Sequence, residues 1–191
     1  MLTERIMGAF TFRKGIYAEV EQDSSFTSTA WLLVAVVAFL NQVGTNASGE
    51  IVNWLVRAVV GTIFAVFGFA VGTFVISWVG KTLFQADVTF EEMVRTLGLA
   101  YVWNVVGFIG VLSALSGALS CLLAPVMIIA AIAMVVAWFI AAKEALDLDW
   151  GKTIITVILG WVALVVISLI SGLVLSILGF GAAAVGGLFN Q

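Results

Sequence analysis

Two short polar stretches hold five carboxylates in a chain otherwise poor in charge: Glu91 and Glu92 in the first, Glu144, Asp147 and Asp149 in the second. Brought together, such groups can ligate a divalent cation through oxygen or carry out acid–base work. Each also has a local use. Thr89-Phe90-Glu91-Glu92 has the spacing of a capping box, with Thr89 as N-cap and Glu92 reaching back. Glu91 and Arg95, four apart, can pair on one helix face. Asp149 can cap the helix that follows, with Gly151 easing the turn from Asp147. Local roles account for every acid, so the first reading is a solvated rim. The second is a polar docking surface for a protein partner, with Glu91, Glu92, Arg95, Lys143, Glu144 and Asp147 as its candidate residues.

Other chemistries find no support. The chain has no His, which removes His-ligated zinc or haem and His as a proton shuttle. Its one Cys, Cys121, lies in an apolar context and can form neither an intrachain disulfide nor a metal cluster alone. There is no nucleophile–base pair, no phosphate-cradling glycine loop and no metal-ligand spacing. Neither an enzyme nor a cofactor is expected. The eight Lys and Arg are scattered, so no nucleic-acid surface is expected either.

The elements that must position these loops belong in lipid. Of 191 residues, 63% are hydrophobic and 10% charged, against about 45–50% and about 25% in a soluble domain. A spanning helix needs about 20 mainly apolar residues, and the chain supplies five such stretches. They are placed at 28–43, 58–80, 97–112, 119–142 and 153–178. The 47 uncharged residues Thr96–Ala142 are too long for one crossing and divide best at the small, turn-prone run Ser113–Gly117. Pro125 falls in the first turns of the fourth span, where proline is tolerated. The tail from Gly179, rich in Gly and Ala, is expected to be irregular. Residues 1–23 form a cytoplasmic segment with the character of an amphipathic interfacial helix: Leu2, Ile6, Phe10, Tyr17 and Val20 apolar, Glu4, Arg5, Arg13 and Lys14 charged, interrupted around Gly8 and Gly15. This segment lacks the continuous apolar core of a cleavable signal peptide. Residues 24–191 form the membrane domain. The fold class is all-α, a polytopic bundle of five transmembrane helices.

Charge sets the orientation. Five spans put Arg5, Arg13, Lys14, Lys81, Arg95, Lys143 and Lys152 on one side and Arg57 on the other. Positive charge collects in the cytoplasm, so the N-terminus is expected inside and the C-terminus outside. Trp31, Trp78, Trp138 and Trp150 near the inner interface, and Trp54 near the outer, read as aromatic anchors.

Lipid provides no hydrophobic drive for helices to associate, so small residues and hydrogen bonds must hold the bundle. Gly61, Gly68 and Gly72, then Ala133, Ala137 and Ala141, then Ser168, Gly172 and Ser176 recur at helix-face spacing. They predict close contacts within the bundle, or a homo-oligomer through one exposed stripe. A Leu at Gly172 is expected to disrupt the bundle. Polar groups within the spans are few: Tyr101 and Asn104 in the third, Asn41 and Gln42 at the outer end of the first. No Asp, Glu, Lys or Arg lies deep in a span, which weighs against an ion- or proton-coupled transporter.

Thr89-Phe90-Glu91-Glu92-Met93-Val94-Arg95-Thr96-Leu97-Gly98-Leu99-Ala100-Tyr101 resembles the segment before the third span of prokaryotic Yip1-domain proteins, and Lys143–Thr153 resembles the stretch before their fifth. The five-span plan with N-terminus inside is similar too. The resemblance implies a membrane protein of the cell (inner) membrane of a prokaryote. Eukaryotic Yip1-like proteins lie in Golgi and endoplasmic-reticulum membranes and are linked to vesicle traffic and prenylated small GTPases. They carry a cytosolic motif built around Asp-Leu and Gly-Pro, which this sequence lacks: its one proline is Pro125. The expected function is non-enzymatic: membrane organisation, or recruitment of a protein partner at the cytoplasmic face, with membrane lipids as constant partners. The alternative is a small permease or lipid-handling protein with a cavity between the helices near Tyr101 and Asn104.

Overall fold

The computed structural model describes residues 1–47, 50–114 and 116–189. Among these residues the chain is helical without strands. α1 (Leu2–Phe10) and α2 (Ile16–Gln22) precede α3 (Phe26–Thr45) and α4 (Ile51–Phe84). α5 (Phe90–Ala100) continues as a 3₁₀-helix, Tyr101–Ala114, and α6 (Gly117–Leu146) and α7 (Trp150–Phe189) complete the fold. Five segments are long and apolar enough to cross a bilayer: Phe26–Thr45, Ile51–Phe84, Phe90–Ser113, Cys121–Leu146 and Trp150–Val174. These are the five expected spans, with longer helices. Pro125 lies inside α6, where it removes one backbone hydrogen bond. The tail expected to be irregular from Gly179 instead continues α7 to Phe189. Glycine costs a helix about 1 kcal/mol relative to alanine, but these residues extend a helix that is already nucleated, and propagation adds one hydrogen bond for each residue fixed.

The N-terminal segment is helical as expected, in two pieces rather than one. The break is Gly15, in the left-handed region at φ 78°, which suits a residue without Cβ. Gly8 stays helical; a Cβ there would stand 3.0 Å from Ile16 Cγ1. Ile16, Tyr17 and Val20 are buried because α2 lies against α5 and α6. That apolar face meets protein, while Leu2 and Met7 of α1 are exposed.

The third crossing departs most from the expected single helix. From Tyr101 it winds as 3₁₀ for 14 residues, where runs beyond 3–4 residues are uncommon. α3 grips this stretch. Asn41 Nδ2 donates to the Asn104 carbonyl at 2.8 Å, and a Cβ on Gly44 would run into the Gly107 carbonyl. On the other side of the bundle α4 and α7 cross closely. A Cβ on Gly72 would stand 2.9 Å from Leu164 Cγ, and one on Gly160 would stand 3.1 Å from the Gly72 carbonyl oxygen and nearer still to Ile76.

Phe69, fully buried, centres the core. Its ring meets Trp31 at 5.7 Å, Tyr101 at 5.5 Å and Trp138 at 6.3 Å between centroids, all edge-on, the geometry that aromatic quadrupoles favour. Trp138, expected as a surface anchor, is therefore a core residue, and Trp31, expected as another, is partly buried against the core. Trp78 and Trp150 are exposed. Trp54 donates from Nε1 to the Val43 carbonyl at 2.8 Å, satisfying a carbonyl that the end of α3 leaves open.

Candidate functional site

Polar groups meet at the end of the bundle that carries α1 and α2 and in a cavity within the membrane domain.

At the charged end, the local caps form as read from the sequence. Glu92 N donates to Thr89 Oγ1 at 3.2 Å and Thr89 N donates to Glu92 Oε2 at 2.6 Å. Asp149 Oδ1 accepts from Lys152 N at 3.1 Å, capping α7, and this holds its carboxyl below the usual range. Arg95 does not make the expected pair with Glu91. Its side chain is buried on the face of α5 that meets α2 and α3. Nε donates to the Glu21 carbonyl at 2.9 Å, Nη2 donates to the same oxygen, and Nη1 donates to Thr27 Oγ1 at 3.1 Å. A cation thus closes the C-terminal turn of α2, where open carbonyls gather negative potential. Glu92 Oε1 stands 3.9 Å from Nη2, and Glu91 is exposed.

Glu21 is the member of this site that the sequence did not single out. Its carboxyl is pushed up to about 7, first by burial and then by repulsion from Asp147, Glu92 and Glu144, with Arg95 opposing. So α2, the start of α5 and the end of α6 bring Glu92, Arg95, Glu144 and Asp147 together around Glu21. Asp147 ends α6 at φ 50°. Lys143 Nζ sits 5.5 Å from the centroid of the Trp150 ring, a cation–π distance. Among the described residues, no group of three or more acids or cysteines is placed to hold a metal ion. The N-terminal helices are tied in by Arg5, which bonds Glu19 at 3.1 Å and pairs with Asp23 at 2.8 Å.

Within the membrane domain, a cavity of about 430 Å³ lies between α4, the 3₁₀-helix, α6 and α7. Tyr101 and Asn104, the expected intramembrane polar pair, both line it. α4 contributes Gly61, Gly68 and Phe69; α6 contributes Met134 and Trp138; α7 contributes residues from Trp161 to Gly172. Gln42 of α3 lies against Gly61. No lining residue is charged. Asn104 and Met134 also line a neighbouring cavity of about 130 Å³, beside Asn41 and Trp103. The indole N–H groups of Trp138 and Trp103, one in each lining, are buried and have no acceptor.

The small-residue stripes divide between packing and cavity. Gly68 and Gly72 are buried and face Leu164 and Ile167 of α7. Ala137 and Ala141 are buried on α6. Ser168 and Gly172 line the cavity, and a Cβ at Gly172 meets no atom within 4 Å. Ser176 is exposed and bonds back to the Leu173 carbonyl at 2.7 Å. The glycines at the closest approaches, Gly44, Gly107, Gly110 and Gly160, were not singled out from the sequence. Gly44 and Gly107 could have been found as glycines on the two spans that also hold Asn41 and Asn104.

The helices of the described residues, five of them long and apolar enough to cross a bilayer, define an integral membrane protein of the polytopic α-helical class. The chain belongs to the Yip1 family: the Yip1 domain matches residues 7–173, from α1 through most of α7. No curated protein matches it, and no solved structure does.

Proposed function

We propose that this Yip1-family protein is a non-enzymatic membrane organiser that recruits a protein partner at its cytoplasmic face. The observation that carries the reading is the tie from Arg95 to Glu21 and Thr27. It fixes α2 to α5 and α3, where the Glu21 carboxyl lies within the electrostatic reach of Glu92, Glu144 and Asp147. A fixed surface loses little entropy on binding. The positive-charge bias supports a cytoplasmic position for this end and an outside C-terminus, and the resemblance to prokaryotic Yip1-domain proteins supports a cell membrane. Cross-linking in native membranes, with and without charge reversal at Glu144 and Asp147, tests recruitment. A partner lost on reversal is expected. Recovery of the same proteins from both forms refutes it.

A second reading has its own observation. The cavity beside Tyr101 and Asn104 favours a small permease or lipid-handling protein over a wholly close-packed scaffold. Transfer of a labelled lipid or small neutral solute across or between vesicles containing the purified protein tests that reading, and rates equal to protein-free vesicles refute it.

A further inference from the structure

We infer that the cavity beside Tyr101 and Asn104 binds an uncharged single-chain lipid: one hydrocarbon chain with a head of hydroxyl or ester oxygen. This deepens the lipid-handling reading by naming its ligand class.

Shape comes first. On α4 the lining runs from Gly61 to Phe69, and on α7 from Trp161 to Gly172. At 1.5 Å per residue these stretches are about 12–16 Å long. Spread over that length, about 430 Å³ leaves a cross-section of about 30 Å². Carbon chains in contact lie about 4–4.5 Å apart, so the space accommodates one extended chain. The volume falls within the range of about 300–1,000 Å³ usual for small-molecule sites.

Chemistry comes second. The lining has no charged side chain, and a charged head buried there would find no counter-ion. Tyr101, Asn104, Gln42 and Ser171 put neutral polar groups on the wall, so a ligand that brings a hydroxyl or ester oxygen meets hydrogen-bonding partners that a bare alkane would leave unused.

Access comes third. Ser168 and Gly172 of α7 are exposed while lining the cavity, so the space communicates with the surface that lipid covers. A chain can enter from the bilayer without crossing water.

The test uses the full chain in phospholipid nanodiscs and a photoactivatable monoacylglycerol as probe, with labelled peptides read by mass spectrometry. Labelling is expected on 61–69 and 161–172, falling at least fivefold in Gly172→Leu. That substitution fills open space rather than a packed contact; Ser168→Leu serves as a second filling variant, and thermal melting confirms the fold of both. Label spread over the exposed α6 face at Ile128 and Ile132, unchanged by either variant, overturns the inference. So does competition by phosphatidylcholine equal to competition by unlabelled monoacylglycerol. Probe transfer between vesicles is measured separately. Site labelling without transfer retains the bound lipid and removes the lipid-handling reading; transfer without site labelling does the reverse.

Discussion

Arg95 and Glu21 stand 74 positions apart, yet the guanidinium Nε of the first lies 2.9 Å from the backbone carbonyl oxygen of the second. The contact uses the main chain of Glu21, not its carboxylate. α2 is therefore held by a bond that survives any change in the charge of Glu21. Truncating Arg95 to Ala leaves that carbonyl without its cation, and hydrogen bonds to a charged group contribute about 1.5–3 kcal/mol. We expect Arg95→Ala to expose α2 to protease and to speed amide exchange there at least tenfold. Arg95→Lys, which keeps the charge without the fork, should be intermediate. Equal exchange in all three forms would contradict the tie.

Glu21 should make the fold pH-dependent. Its folded pKa, about 7, lies above the ordinary carboxylate value of 4.5. The folded state therefore favours the protonated form. This contribution is fully present below about 4.5 and is lost as pH rises through about 7. Glu21→Gln removes the charge and the repulsion from Asp147, Glu92 and Glu144. Its melting temperature in detergent should exceed that of the parent at pH 8 and match it at pH 4. A difference that instead grows toward acid would contradict the assignment.

Two glycines of the membrane domain should respond in opposite ways. At Gly72 an added side chain meets Leu164, and at Gly172 it meets nothing within 4 Å. Overpacking costs about 1–3 kcal/mol. Gly72→Leu should lower the melting temperature in detergent by several degrees, while Gly172→Leu should leave it within about a degree of the parent. The expectation that Leu at Gly172 disrupts the bundle thus moves to Gly72.

Orientation can be read from two lysines. Lys81 and Lys152 sit at the same end of the bundle, on the last turn of α4 and the first of α7, and both are exposed. A membrane-impermeant amine reagent should modify both from the cytoplasmic side of sealed vesicles and neither from the other. Labelling from opposite sides would refute the five-span arrangement.

How much of this was legible depends on how local each feature is. The Thr89–Glu92 box and the Asp149 cap involve residues three apart, and both form as read. The five crossings were legible because hydrocarbon demands about 20 apolar residues whatever they pack against. The same apolar uniformity hid the 3₁₀ winding of Tyr101–Ala114. When nearly every face is apolar, periodicity no longer reports the residues per turn. Arg95 was given to Glu91 because a helix face offers the nearest acid. Its actual acceptor belongs to another helix, and no spacing within α5 points to it. Trp138 was taken for an anchor because it follows the run toward the inner interface; its place against Phe69 depends on how α4 and α6 meet. The cavity was anticipated through Tyr101 and Asn104, polar groups with no evident reason to be in lipid.

The 3₁₀ stretch has a mechanical corollary. Each residue advances about 2.0 Å there instead of about 1.5 Å. Fourteen residues so wound reach about 7 Å further than an α-helix of the same length. Rewinding even one turn would draw the start of α6 toward α5 and drag Asn104, which borders both hollows. The third crossing thus holds about a turn of length in reserve beside the space a guest would occupy.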